Sequence, residues 1–122
     1  MKAEKNKTVL VIDDDETLRD LMENMLERLG YRVLLAGSGR EALSISEQAK
    51  GGIDIAFMDL FLPDMRGDTV SPKILAHHPG LKVIVMSGYA LNDTKVLDIE
   101  VHGFIQKPCT FENLSNILAS LN

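Results

Sequence analysis

Polar residues directly follow short apolar segments at several points in this chain, and this pattern constrains the fold more than any other feature. Three of the segments contain no polar residue: Val9 to Ile12, Ile55 to Met58 and Val83 to Met86. Strands that are apolar throughout are typical of parallel sheets whose two faces are both covered. The polar residues that follow the apolar segments are Asp13 and Asp14, Asp59, Ser87, and Lys107 after Phe104-Ile105.

These polar residues are predicted to meet at one edge of the sheet. The carboxyl ends of parallel strands share an edge, and open α/β sheets bind their ligands there. Two carboxylates about 4 Å apart repel each other by roughly 4 kcal/mol at an effective dielectric constant near 20, and Lys107 supplies one compensating charge against three. Small groups of carboxylates are the usual ligands of Mg²⁺. The pattern therefore predicts a Mg²⁺ site formed by Asp13, Asp14 and Asp59.

The rest of the chain alternates between predicted helices and strands. A first helix, with apolar residues at helical spacing, ends at Gly30, a residue type that often terminates helices. A strand over 32–36 follows, and Ser38 and Glu41 then form a capping box at the start of a second helix. The last helix begins after Thr110, its predicted N-cap.

Two further helices are predicted from weaker patterns. The third is expected to start at Pro72 with Ser71 as its N-cap, because proline costs about 3 kcal/mol inside a helix but suits its first position. Residues 91–101 have apolar residues at alternate positions, and we assign a helix there on length and on the alternation of elements. Five strands alternating with five helices predict a three-layer α/β/α sandwich around a parallel sheet, formed by a single domain over residues 1–122.

Composition argues against several functional classes. The chain has 122 residues, the size of one ordinary domain, and a net charge of -5. Direct nucleic-acid binding is not expected, because it depends on Lys and Arg neutralising phosphates. The single cysteine, Cys109, precludes an internal disulfide, and no apolar stretch approaches the roughly 20 residues that span a bilayer. Without an apolar signal segment at the amino end, the expected location is cytoplasmic, with no membrane contact by this domain.

Four segments resemble the receiver domain of two-component response regulators and hybrid sensor histidine kinases. They are Val11 to Glu16, Met58 to Gly67, Val85 to Ala90 and Lys107-Pro108, and together they extend over essentially the whole chain. The resemblance implies a flavodoxin-like sheet with strand order 2-1-3-4-5. It also implies that an aspartate accepts a phosphoryl group from a phosphohistidine on a histidine kinase or a histidine phosphotransfer protein. Such a domain is mainly a signalling phosphoacceptor that promotes its own phosphorylation and dephosphorylation.

The resemblance assigns roles to the residues that would bind metal and phosphoryl group. Asp59 would be the phosphoacceptor. Asp14 and Asp59 would bind Mg²⁺ directly, Asp13 would act largely through water, and the backbone carbonyl of Phe61 would complete the protein ligands. Lys107 would pair with the phosphoryl oxygens, and its peptide bond to the following proline is a candidate cis bond.

The resemblance also implies a conformational switch. Ser87 would move toward the phosphoryl group while Phe104 turns inward, which would remodel the surface of the helix over 91–101, the fifth strand and the last helix. The resemblance allows a homodimer as well. The segment Ser87 to Ala90 slightly favours the terminal receiver of a hybrid kinase over a stand-alone receiver.

The sequence departs from the family pattern at a few positions. Cys109 stands where an apolar aromatic residue is common, and Pro72 interrupts the expected start of the third helix, so both are expected to alter partner surfaces rather than chemistry. Phe61 and Tyr89 lie two residues after the acceptor and the switch hydroxyl, where polar side chains help to orient a hydrolytic water. We therefore hypothesise a slowly hydrolysing acyl phosphate.

Two other functions stay open on the sequence alone. The segment Asp13-x-Asp15-x-Thr17 resembles the signature of haloacid-dehalogenase-type phosphatases, with Asp13 as nucleophile and Asp15 as acid/base. Against it, no acidic pair follows Lys107, and Asp59 would have no role. The other alternative is a degenerate receiver-like module that docks partners without being phosphorylated.

Overall fold

A five-stranded parallel sheet lies at the centre of the computed structural model, which describes residues 7–49, 51–88 and 99–121. The strands are β1 (Thr8–Ile12), β2 (Arg32–Ala36), β3 (Ile55–Asp59), β4 (Lys82–Ser87) and β5 (Gly103–Gln106). They lie in the order β2-β1-β3-β4-β5, and every neighbouring pair is parallel. The flavodoxin-like strand order is therefore confirmed, and the direction of strand addition reverses between β1 and β3.

Helices cover both faces of the sheet. Those in the described residues are α1 (Glu16–Arg28), α2 (Gly39–Gln48), α3 (Gly67–His77) and α4 (Phe111–Ala119). Apolar side chains of α1 and α4 share one core with Val9 and Val11, whereas α2 and α3 share the other with Leu10 and Ile12. Successive residues of a strand point to opposite faces, so β1 contributes to both cores. The three-layer sandwich is confirmed.

Burial follows the position of each strand in the sheet. All residues of β1 and β3 are buried, as are all residues of β4 after Lys82. The edge strands β2 and β5 are more exposed. The three segments without polar residues are thus the three central strands, which need apolar side chains on both faces.

Polar side chains cap three of the helices, and two of the caps, Ser38 and Thr110, are those predicted from the sequence. Asp15, Ser38 and Thr110 each accept a hydrogen bond from a backbone amide in the first turn of α1, α2 and α4 respectively. The return contact of the capping box differs slightly from the prediction, because the Glu41 carboxylate accepts from the amide of Gly37 at 2.6 Å and not from that of Ser38. Capping residue types therefore predict the helix starts correctly here, while the amide that donates to Glu41 lies one residue earlier than the capping box predicts.

The start of α3 contradicts the prediction. The helix begins at Gly67, and Pro72 lies inside it. Val70 and Ile74 are fully buried and four residues apart, so they lie on one face of the helix. A helix that started at Pro72 would leave Val70 out of this packing. Tertiary burial outweighs the missing proline N–H, and Ser71, the expected N-cap, is a buried residue within the helix.

The helices of the described residues are short, and none is long and apolar enough to cross a bilayer. The helix predicted over 91–101 falls mostly on residues 89–98, which lie outside the described part of the chain. Residues 99–101 are described, and they are not helical.

Candidate functional site

Asp13, Asp59 and Lys107 meet at the carboxyl edge of the sheet. Asp13 follows β1, Asp59 is the last residue of β3, and Lys107 follows β5. The Lys107 Nζ lies 3.0 Å from Asp13 Oδ2 and 3.0 Å from Asp59 Oδ2. Because β4 separates β3 from β5, the length of the lysine side chain lets a single cation reach both carboxylates.

The three aspartates form an acidic cluster at the point where the strand order reverses. Carboxylate oxygens of Asp13, Asp14 and Asp59 all lie within 4.8 Å of one another. Asp13 and Asp59 are buried, whereas Asp14 is exposed to solvent. Two of these charges are paired with Lys107, so the cluster retains excess negative charge. Hard oxygen ligands at this spacing, with one of them open to solvent, fit a hydrated divalent cation.

The pKa shifts in the cluster follow from its burial. Burial raises the pKa of the Asp13 carboxyl, although the amide of Asp15 and the ammonium of Lys107 favour the ionised form. Burial alone would lower the pKa of Lys107, but the hydrogen bonds to Asp13 and Asp59 outweigh it and raise the pKa on balance. Lys107 therefore stays charged at neutral pH. Burial leaves the ionised form of Asp13 poorly solvated, and a bound cation would stabilise it.

Backbone amides orient the two buried carboxylates. Asp13 Oδ1 accepts from the amide of Asp15 at 2.9 Å, and Asp59 Oδ1 accepts from the amide of Phe61 at 3.1 Å. In each aspartate one oxygen thus contacts the local backbone while the other contacts Lys107. Both carboxylates are held in fixed orientations before any ligand binds.

Ser87 and Phe104 lie on the two strands next to this cluster. Ser87 is the buried last residue of β4, and its carbonyl accepts from the amide of Lys107 at 2.7 Å. The peptide bond between Lys107 and Pro108 is cis, as expected from the sequence. Phe104 is partly buried on β5, paired with Val85, and packs against the core under α2 and α3.

An open cavity lies over the cluster. Asp59, Phe61, Gly88 and Lys107 line it. Phe61 is 56% exposed, and the Arg66 guanidinium carbon lies 5.5 Å from the centre of its ring. The rim of the cavity therefore carries an exposed aromatic ring beside a cation. Tyr89 lies outside the described residues, so the hypothesis of slow acyl phosphate hydrolysis stays a prediction.

Sequence reasoning missed two residues that support the site. Arg19, on α1, donates from Nη1 to the carbonyl of Asp13 at 2.7 Å. Arg19 lies four residues after Asp15, the N-cap of α1, but this spacing alone does not predict that its side chain turns back to the Asp13 carbonyl. Asp64 accepts from the amides of Gly39 and Arg40. No local pattern predicts this contact, because it joins a loop to the N-terminus of α2, about 25 residues earlier in the chain.

Comparison with known families identifies the family of this chain. The family model described as the response regulator receiver domain matches residues 9–119. The chain belongs to the response regulator receiver family. This receiver domain is 33% identical to the sensor kinase CckA of Brucella abortus over 117 residues, which are 93% of the chain and 12% of the kinase. The chain spans between 12% and 28% of the length of the first four curated relatives it matches.

Solved structures of receivers share the fold. The chemotaxis protein CheY4 of Vibrio cholerae superposes with a TM-score of 0.85 at 23% identity, covering 95% of this chain and 98% of that one. A response regulator from Burkholderia pseudomallei, solved with a phosphorylated aspartic acid, a calcium ion and citrate, has a TM-score of 0.81 at 30% identity, covering 95% of this receiver domain and 66% of that chain. None of these comparisons supports the phosphatase alternative. Its expected acid/base, Asp15, instead caps α1.

Proposed function

We propose that Asp59 accepts a phosphoryl group from a phosphohistidine and so carries a signal in a two-component phosphorelay. Receiver domains of response regulators interact with histidine kinases, and the donor proposed here is a histidine kinase or a histidine phosphotransfer protein. The observation that carries the proposal is the contact of Lys107 Nζ with both Asp13 and Asp59 at 3.0 Å. It places a cation against an oriented carboxylate that lines an open cavity.

The transfer requires one bond to form and one to break. An oxygen of Asp59 attacks phosphorus, the new P–O bond forms as the P–N bond to the donor imidazole breaks, and the imidazole takes up a proton. The amide of Phe61 and the ammonium of Lys107 each bind one Asp59 oxygen, which orients the carboxylate for attack. Lys107 then lies where its charge can stabilise the equatorial phosphoryl oxygens.

The acidic cluster is proposed to bind Mg²⁺. Asp14 and Asp59 would bind it directly, Asp13 largely through water, and the carbonyl of Phe61 would complete the protein ligands. Bound Mg²⁺ would neutralise charge on the transferring phosphoryl group. The donor set supports this assignment, because three carboxylates have oxygens within 4.8 Å of one another and Lys107 pairs with two of them. The calcium ion and phosphorylated aspartate of the Burkholderia relative are consistent with a divalent cation in this family.

The output of the domain is proposed to be a change of surface at β4 and β5. Ser87 would move toward the phosphoryl group, and Phe104, now partly buried, would turn inward. The altered surface would bind a protein partner or a second copy of the chain, in the cytoplasm and without direct contact to nucleic acid. Ser87→Ala should therefore still be phosphorylated, while its partner binding no longer responds to phosphorylation. An unchanged response in pull-down experiments would remove Ser87 from the switch.

The acceptor assignment is tested by labelling with a small phosphodonor such as acetyl phosphate in the presence of Mg²⁺. The wild-type chain should be labelled and Asp59→Asn should not, with circular dichroism showing that the variant is folded. Asp15→Asn is the matched control, because asparagine also caps helices and the phosphatase alternative requires Asp15. Labelling that survives in Asp59→Asn, or that disappears in Asp15→Asn, would contradict the proposal. A wild-type chain that is never labelled would favour the docking module.

A further inference from the structure

Asp64 ties the loop between β3 and α3 to the N-terminus of α2. Its Oδ1 accepts from the amide of Gly39 and its Oδ2 from the amide of Arg40, both at 2.9 Å. The next amide, that of Glu41, donates to Ser38 Oγ at 3.1 Å. The first three amides of α2 therefore all have partners, and a residue from a distant loop supplies two of them.

The loop that carries Asp64 is closed at its base. Phe61 and Arg66 form an isolated antiparallel bridge, and the amide of Gly67 donates to the carbonyl of Leu60 at 2.8 Å. These contacts, together with the hydrogen bond from the amide of Phe61 to Asp59 and the burial of Leu62, hold the loop to the sheet edge. The contact of Asp64 with α2 attaches the same loop to a second element.

The loop and the helix terminus are also in close packing contact. A Cβ added to Gly39 would clash with the side chains of Met65 in the loop and Val70 on α3, so these side chains would have to move for any larger residue. The amides of Arg40 and Gly39 hold the pKa of Asp64 below its ordinary value. The clamp is thus an ionised carboxylate at a helix N-terminus, where negative charge is favoured.

We propose that Asp64 is a positioning residue for the metal site, because its clamp on α2 orients the loop that carries the Phe61 carbonyl. The inference rests on the proposed function, which makes that carbonyl a Mg²⁺ ligand. Without the clamp, the amide of Phe61 keeps its hydrogen bond to Asp59, so the three carboxylates stay in place while the Phe61 carbonyl and the loop beyond it reorient. Mg²⁺ affinity should then fall, and phosphorylation at saturating Mg²⁺ should be retained.

Isothermal titration of the full chain with MgCl₂ tests this directly. Contacts behind the metal ligands typically change affinity by 10- to 100-fold, so Asp64→Ala should raise the Kd for Mg²⁺ about tenfold. Asp64→Asn keeps one acceptor oxygen, so its Kd for Mg²⁺ should lie between those of the wild type and Asp64→Ala. Ser38→Ala is the matched control, because it removes a cap from the same helix without touching the loop, and its Kd should equal that of the wild type. Labelling of Asp64→Ala by acetyl phosphate should approach the wild-type extent once Mg²⁺ is saturating.

Each outcome separates this inference from the function on which it rests. If Asp64→Ala binds Mg²⁺ with the wild-type Kd, or if Ser38→Ala loses as much Mg²⁺ affinity as Asp64→Ala, the positioning role is overturned. Asp59 then remains the proposed acceptor. A wild-type chain that binds Mg²⁺ but is not labelled refutes the proposed function, while the Kd comparison still decides the role of Asp64. A wild-type chain that does not bind Mg²⁺ refutes both.

Discussion

The Ser46 hydroxyl, buried in α2 at 2% exposure, has no hydrogen-bond partner among the described residues. A buried polar group without a partner costs about 1–3 kcal/mol. Ser46→Ala removes the hydroxyl, nearly preserves the volume and raises helix propensity, so the free energy of unfolding should increase by about 1 kcal/mol. Urea denaturation followed by circular dichroism measures the change.

Ser44→Ala provides the control for that substitution. Ser44 is exposed on the same helix, where its hydroxyl accepts a long hydrogen bond from Gln48 Nε2 at 3.4 Å, so its replacement mainly reports helix propensity without a buried hydroxyl. Ser46→Ala should stabilise the protein more than Ser44→Ala does. Equal effects, or a loss of stability at Ser46, would show that the buried hydroxyl is satisfied in solution.

Individual residues also show which parts of the site the sequence predicts. Asp13, Asp59 and Lys107 could be identified because each follows a strand, and parallel topology alone brings strand ends together. Arg19 and Asp64 could not, since they bind backbone groups whose positions depend on how α1 and the loops pack. Sequence patterns therefore predict residues at strand ends well, but they do not predict side chains that bind distant backbone groups.

His78, directly after α3, links α2 to the segment before β3. It follows α3 and is buried; its Nδ1 accepts from the amide of Ile53 at 3.0 Å, and its Nε2 lies 2.9 Å from the carbonyl of Ser46. Because Nδ1 accepts, the proton is assigned to Nε2, which donates to that carbonyl. The ring therefore satisfies one buried donor and one buried acceptor of the backbone.

Replacing His78 should destabilise the protein through those two backbone groups. His78→Leu introduces an apolar side chain of similar size and removes the hydrogen bonds that the ring makes to the amide of Ile53 and the carbonyl of Ser46. The free energy of unfolding should fall by about 2–4 kcal/mol. His77→Leu is the matched control at the neighbouring exposed position and should change stability by less than about 0.5 kcal/mol. Similar effects of the two substitutions in urea denaturation would contradict the bridging role.

Elements were predictable where a single local signal decides them. The central strands follow from their unbroken apolar segments, α1 follows from apolar residues at helical spacing, and α2 and α4 follow from the capping residues before them. The start of α3 was wrong because the cost of Pro72 is local, whereas the burial of Val70 and Ile74 depends on the packing of the helix against the sheet. Local rules fail where tertiary burial opposes them.

The whole molecule should be stabilised by Mg²⁺. Folding brings the Asp59 carboxylate against those of Asp13 and Asp14 at the carboxyl edge of the sheet, and a bound cation would relieve the resulting repulsion. A ligand that binds the folded state alone adds about 2.7 kcal/mol at a hundredfold excess over its Kd. The melting temperature should therefore rise with added MgCl₂, and the rise should be smaller in Asp14→Asn. A melting curve that does not respond to Mg²⁺ would count against the metal site.

The central claim is that the fold brings an acidic cluster and Lys107 together so that Asp59 becomes phosphorylated. The most direct measurement is mass spectrometric mapping of the full chain after reaction with acetyl phosphate and Mg²⁺, with borohydride reduction to trap the acyl phosphate. The predicted result is one modified residue, Asp59, and no modification when Mg²⁺ is chelated. Modification of Asp13 in place of Asp59, or the absence of any modified aspartate, would contradict the account.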